Sequence, residues 1–238
     1  MDYEELNYQS VSTRELEVSA AFPALMRKVY VWMALALVIT GFTAYVVATN
    51  ETILTLIYSS RGVILGLAIA ELAIVIGVTA AINRLSLPIA TFLFVLYSVI
   101  NGALLSSLFF VYTTSSIATV FFITAGTFAV MSIYGYTTKS DLTSWGKILL
   151  MALLGLIVAS IVNIFMKSSD LELIISYIGV LIFVGLTAYD TQKIKEMFMQ
   201  APDASESMQK YALLGALSLY LDFINLFIYL LRIFGRRE

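Results

Sequence analysis

Long apolar runs alternate with short polar breaks along the whole chain. A helix that crosses a bilayer needs about 20 mostly apolar residues at a rise of about 1.5 Å each. Seven segments meet that length: 29–48, 63–82, 87–111, 117–136, 147–166, 172–192 and 211–233. The breaks between them are Asn50-Glu51, Arg84 to Pro88, Thr113 to Ser116, Lys139 to Trp145, Lys167 to Asp170 and Lys193 to Lys210. The break from Lys193 holds Pro202 and begins as a continuation of the sixth helix, because Lys193, Lys195 and Glu196 alternate with Ile194, Met197 and Phe198. The pattern predicts an all-α polytopic membrane protein with seven transmembrane helices. It divides into a polar tail over residues 1–24 and one transmembrane domain over residues 25–238. No repeat, low-complexity tract or second domain interrupts it.

Composition rules out the alternative of a water-soluble core. The chain is 60% hydrophobic and 13% charged, against about 45–50% and 25% for soluble domains. A net charge of −2 is uninformative here; the placement of the charges is what counts. Nine Lys or Arg residues, among them Arg14, Arg27, Lys28, Arg84, Lys139 and Lys193, fall on one side of the predicted spans. Five fall on the other, and three of those five, Arg232, Arg236 and Arg237, sit at the end of the chain. The bias of Lys and Arg toward the cytoplasm therefore puts the amino terminus inside. The first 24 residues carry Asp2, Glu4, Glu5, Arg14, Glu15 and Glu17 and have no basic region followed by an apolar core. They read as a cytoplasmic tail and not as a signal peptide. The short tails favour a bacterial inner membrane over an organelle.

Cysteine and histidine are both absent. Thiolate nucleophiles, disulfides, haem ligation and nearly all zinc chemistry go with them, as does the side chain that ordinarily switches near neutral pH. No catalytic residue and no tightly bound cofactor is expected, and nothing points to nucleic acid. What remains is acid. Asp222 lies about 16 Å into the last span by the helical rise, where a charge costs at least about 2.5–3.5 kcal/mol. Ser218, Asp222, Asn225 and Tyr229 follow one another at helical spacing and form one polar stripe, with Leu219, Leu221, Ile224 and Leu226 assigned to the opposite face. Such a stripe inside a bundle lines water or a partner. Asp190 falls near the cytoplasmic end of the sixth span, Glu71 lies well inside the second, and Arg84 closes that second span. Gly62-x-x-x-Gly66, Gly41, Gly102, Gly126, Gly155 and Gly179 are candidates for close helix approach.

Two segments carry a resemblance. Gly185-Leu186-Thr187-Ala188-Tyr189-Asp190-Thr191-Gln192-Lys193-Ile194-Lys195 is similar to the signature of the Bax inhibitor-1 (transmembrane Bax inhibitor motif) family, and the run Ala216 to Arg232 resembles its last helix almost residue for residue. The resemblance implies a bundle with the last helix central and six others around it, and a pH-controlled calcium leak. The family's paired aspartates fall on Asp190 and Asp222, as pH sensors, ion-pathway residues and calcium ligands. Its arginine at the end of helix two falls near Arg84, expected to pair with Asp190 as a gating partner. Glu71, Ser218, Asn225 and Tyr229 are then candidates to line the path.

The pair also makes physical sense. Two carboxylates brought together at low dielectric cannot both ionise cheaply and share a proton, which gives pH sensitivity without histidine. Oxygen ligands suit a hard cation such as Ca²⁺, and a ring of acids favours cations over anions. Asp190 lies nearer the cytoplasm than Asp222, so contact requires the sixth helix to tilt or to continue past Gln192 with Lys193 and Lys195 snorkelling. The rivals are weaker or coarser. An intramembrane aspartyl protease wants Gly-x-Gly-Asp and a Pro-Ala-Leu loop, where this chain has Leu219-Tyr220-Leu221-Asp222 and only Pro23, Pro88 and Pro202. A proton-coupled cation transporter would use Glu71, Asp190 and Asp222 as a relay, but no inverted repeat is visible. A non-conducting regulator that binds other membrane proteins fits the family resemblance equally well.

Overall fold

The computed structural model describes residues 3–200 and 205–237, with side chains from Ala21 onward. Met1, Asp2 and Pro202 lie outside the described residues. Within them the chain forms α1 (Tyr3–Thr49), α2 (Glu51–Tyr58), α3 (Arg61–Ala81), α4 (Leu87–Leu105), a 3-10 turn (Ser106–Phe110), α5 (Thr114–Thr137), α6 (Thr143–Met166), α7 (Ser169–Met199) and α8 (Glu206–Phe234). Seven of these stretches are long and apolar enough to cross a membrane, with α1 contributing Ala21–Thr49 and α4 running on through Phe110. Most of the polar tail, from Tyr3, is helical and continuous with the first span.

The polar breaks are helix caps. Asn50 accepts from the backbone N–H groups of Thr52 and Ile53, both at 3.1 Å, and so starts the short exposed helix α2, which the sequence pattern did not show. Ser60, Thr113 and Ser168 accept in the same way at the starts of α3, α5 and α7. Each satisfies one of the donors that a helix start leaves unpaired, a matter of several kcal/mol where hydrocarbon replaces water.

Helix α8 is the centre. Ala216, Leu219, Tyr220, Leu226 and Leu231 on it are wholly buried, and it lies against α1, α4, α5 and α7. The outermost helices are α3, packed on α2 and α4, and α6, packed on α7. Lipid tails are as apolar as leucine, so packing and interhelical hydrogen bonds hold such a bundle together. One knot joins three helices. Thr40 Oγ1 on α1 donates to the Ser98 carbonyl on α4 at 2.9 Å. Its hydrogen being spent there, the Tyr220 hydroxyl on α8 donates to it at 2.7 Å. A second knot runs from Tyr30 through Ser132 to Thr191, at 3.2 and 3.0 Å, and ties α1, α5 and α7. Bonds of this kind average about 0.6 kcal/mol inside membranes.

One expectation is corrected and another is met. The glycines are not uniformly packing sites: a methyl group at Gly102 would lie 2.5 Å from the Thr40 carbonyl, whereas Gly41, Gly66, Gly126 and Gly155 have nothing within 4 Å. The sixth helix continues past Gln192 to Met199, as the alternation after Lys193 predicts. Polar side chains along this extension are used against the neighbouring loop. The Gln192 amide donates to the Ser140 carbonyl and accepts from Leu142 N–H, each at 2.8 Å. Lys195 reaches back to the Tyr136 carbonyl at 2.8 Å.

Candidate functional site

The extension of α7 decides where Asp190 sits. With nine residues following it in the helix, Asp190 lies about 13 Å from the helix end by the helical rise, level with the polar stripe of α8. Ser218 Oγ donates to Asp190 Oδ2 at 2.7 Å. Asp222, one turn further along α8, is 5% exposed. The Asp190 carboxylate is the charged group close enough to act on it. Asp222 Oδ2 is buried and receives no hydrogen bond.

Both aspartates line one cavity of about 640 Å³ between α3, α4, α6, α7 and α8. Its walls include Glu71 on α3, Tyr97 on α4, Lys147 on α6, Lys193 on α7, and Ser218, Asn225 and Tyr229 on α8. Glu71, Asp190, Asp222, Ser218, Asn225 and Tyr229 are thus brought together. The Asn225 amide donates back to the Leu221 carbonyl at 2.8 Å. Leu221, assigned above to the apolar face, also lines the cavity. Leu219 and Leu226 do face the core.

Glu71 approaches the cavity from the other wall. It is half-buried, neighbours Asn101 and Tyr97, and its Oε1 is buried without a partner, as is Asn101 Oδ1. The unpartnered buried side-chain oxygens of the described residues are these two and Asp222 Oδ2, and all three lie in or beside one cavity. Asn101 and Tyr97 were not singled out from the sequence, although a lone amide within an apolar span is a readable signal. Among the described residues no three His, Cys, Asp or Glu side chains converge as a metal-ligand group.

Arg84 does not join them. It sits exposed in the turn after α3, and no ion pair to Asp190 is formed. Its turn is fastened to the first part of α8, with Tyr211 donating to Asn83 Oδ1 at 2.9 Å and Lys210 to the Leu85 carbonyl at 3.0 Å. That places it about 10 Å along the helix axis from Ser218 and hence from Asp190. The cation beside Asp190 is Lys193, one turn along α7, whose charge acts on that carboxylate and whose Nζ lies 5.8 Å from the centre of the Tyr189 ring.

Fold and site together define a class: a polytopic helical membrane protein whose central helix carries a carboxylate into a cavity that two further acids line. Comparison with known proteins narrows it. Residues 23–238 match the family described as inhibitor of apoptosis-promoting Bax1. The chain is 51% identical over 220 residues to the inner membrane protein YbhL of Escherichia coli K12, covering 92% of this chain and 94% of that one. It is 46% identical over 213 residues to an uncharacterized protein of Borreliella burgdorferi, covering 90% and 92%. It is 38% identical over 213 residues to an uncharacterized membrane protein of Streptococcus pyogenes, covering 89% and 92%. The protein belongs to the Bax inhibitor-1 family.

Proposed function

We propose that this protein is a pH-sensitive calcium-leak channel of a bacterial inner membrane, with Asp190 and Asp222 as the sensor. The observation that supports it most is the 640 Å³ cavity lined by Glu71, Asp190 and Asp222 from three different helices. Buried acids are rare in spans, and they mark ion and proton pathways by default. The donors are all oxygen, as a hard cation requires. Conduction asks for binding weak enough to release the ion, which two carboxylates and neighbouring hydroxyl and amide oxygens can offer. The name of the Escherichia coli relative supports the inner membrane, and the Lys/Arg bias supports a cytoplasmic amino terminus.

The sign of the pH effect follows from the pair. A proton held between Asp190 and Asp222 gives the lone Asp222 oxygen a partner and removes the repulsion between α7 and α8. The protonated pair therefore stabilises the closed bundle. That contribution is fully present at acid pH and is lost as pH rises through the titration of the shared proton. Two ionised carboxylates then repel each other and attract a cation. Ca²⁺ leak is low at acid pH and grows toward neutral and mildly alkaline pH, and Ca²⁺ shifts the transition to lower pH by competing with the proton. The test is Ca²⁺ entry into dye-loaded liposomes containing only the purified protein, between about pH 5 and pH 8. A flux that falls as pH rises reverses the gating scheme. No flux at any pH leaves the family's other reading, a non-conducting regulator.

A further inference from the structure

The carboxylate cavity is not the only hollow along the polar stripe. A second, of about 620 Å³, lies where α6 turns into α7 and is lined by Ser160, Asn163, Lys167, Glu172 and Arg232 among others. The two hollows share two wall residues, Tyr229 and Ile157. Asn225 belongs to the first hollow and Asn163 to the second. Tyr229 from α8 and Ile157 from α6 thus stand at the boundary between the two.

That ring is held from three sides. It lies close against Gly179 on α7, where an added methyl group would come within 2.6 Å of Tyr229 Cδ2. It stacks on Phe183 with ring centres 5.9 Å apart and planes inclined by 27°. The Arg232 guanidinium stands 5.5 Å from its centre, a favourable approach of a cation to an aromatic face. A glycine under the ring, an aromatic beside it and a cation over it fix its position in the seam between two hollows that each carry charged side chains in a mostly apolar wall. Nothing in a merely lipid-facing tyrosine requires that seat.

We infer that Tyr229 is the barrier that separates the carboxylate cavity from the vestibule at the α6–α7 turn, and that water-soluble cations pass between them only when its ring leaves Gly179. The inference deepens the channel reading and rests on it for its meaning, but it can be measured without any calcium flux.

The chain has no cysteine, so single cysteines report cleanly. Asn225→Cys and Asn163→Cys are placed separately in the full-length protein. Each is treated with a small, positively charged, membrane-impermeant methanethiosulfonate in right-side-out and in inside-out membrane vesicles. The orientation that labels Asn163→Cys defines the vestibule face. With Tyr229 in place, Asn225→Cys is protected from that face and open from the opposite one. In the Tyr229→Ala background its labelling from the vestibule face rises by an order of magnitude or more, while Asn163→Cys is labelled as before. Labelling of Asn225→Cys from both faces with Tyr229 intact overturns the inference, and this arm needs no change at Tyr229 and hence no assumption that the alanine variant folds. A well-folded Tyr229→Ala protein in which Asn225→Cys stays protected from the vestibule face also overturns it. Absence of calcium leak together with the expected labelling would refute the channel reading and leave the barrier standing.

Discussion

Helices α6 and α8 are both long enough to span a bilayer, yet they occupy opposite extremes of the bundle. Two-thirds of the most apolar stretch of α8 is buried (67%), against 6% for α6 and for α3. The order of apolarity is the reverse: α6 and α3 are the most apolar of the seven spans and α8 the least. In water the most apolar helix goes inside. In lipid there is no gain from hiding leucine behind leucine, so the helix that must be hidden is the one carrying Ser218, Asp222, Asn225 and Tyr229. Centrality in this fold is imposed by polar side chains that cannot face hydrocarbon. The same rule makes the site: the helix least able to meet lipid brings its acid to where four other helices supply polar side chains.

The strongest way to break this contrast is to remove the charge that demands burial. Asp222→Asn keeps the shape and the capacity to hydrogen-bond but cannot ionise. The variant is expected to insert and fold, and to lose most of the pH dependence of Ca²⁺ flux in liposomes. An unchanged pH profile would eliminate the aspartate pair as the sensor.

The next effect concerns packing. A methyl group at Gly135 on α5 would collide with the Ala188 backbone of α7, whereas at Gly155 on α6 it meets nothing within 4 Å. Gly135→Ala forces two central helices apart, at a cost of about 1–3 kcal/mol or more. Gly155→Ala faces lipid and is neutral or gains up to roughly 1 kcal/mol through helix propensity. Thermal unfolding in detergent should show a lowered midpoint for the first and none for the second. Equal losses would mean that α6 is packed against something other than lipid.

The span pattern, the two aspartates and the stripe of α8 were legible because each is local: hydropathy, residue type and helical spacing within one segment. What was not legible depends on how segments meet. The continuation of the sixth helix past Gln192 could be read from the alternation of Lys193, Lys195 and Glu196 with Ile194, Met197 and Phe198, but not its anchoring on the loop from Tyr136 to Leu142, which takes up Gln192 and Lys195. Leu221 was put on the wrong face because the cavity covers a wider arc of α8 than a one-residue stripe. Arg84 was matched to Asp190 by the resemblance and by a shared membrane face, and neither shows that its turn is tied to the start of α8. Seven glycines were candidates for close approach, and spacing could not separate Gly102 and Gly179, which meet a neighbour, from Gly41 and Gly155, which meet none.

The smallest effects distinguish the two cations that the sequence left in competition. Both are exposed, but Lys193 lines the cavity and acts on Asp190, whereas Arg84 sits in a turn tied to the start of α8. A positive charge beside Asp190 favours its ionised form. Removing it in Lys193→Gln lets the pair keep its proton to higher pH, so the onset of Ca²⁺ leak moves in the alkaline direction while the shape of the profile is retained. Arg84→Ala takes away an exposed charge about two turns of helix from the site, screened by water and salt. Its profile should overlie that of the parent protein at physiological ionic strength. Measured side by side, a shift in Lys193→Gln and none in Arg84→Ala places the electrostatic partner of Asp190 on its own helix. A shift in Arg84→Ala that grows as salt is lowered would instead show that the turn after α3 comes within reach of Asp190 during opening, and that the pairing belongs to a conformation other than this one.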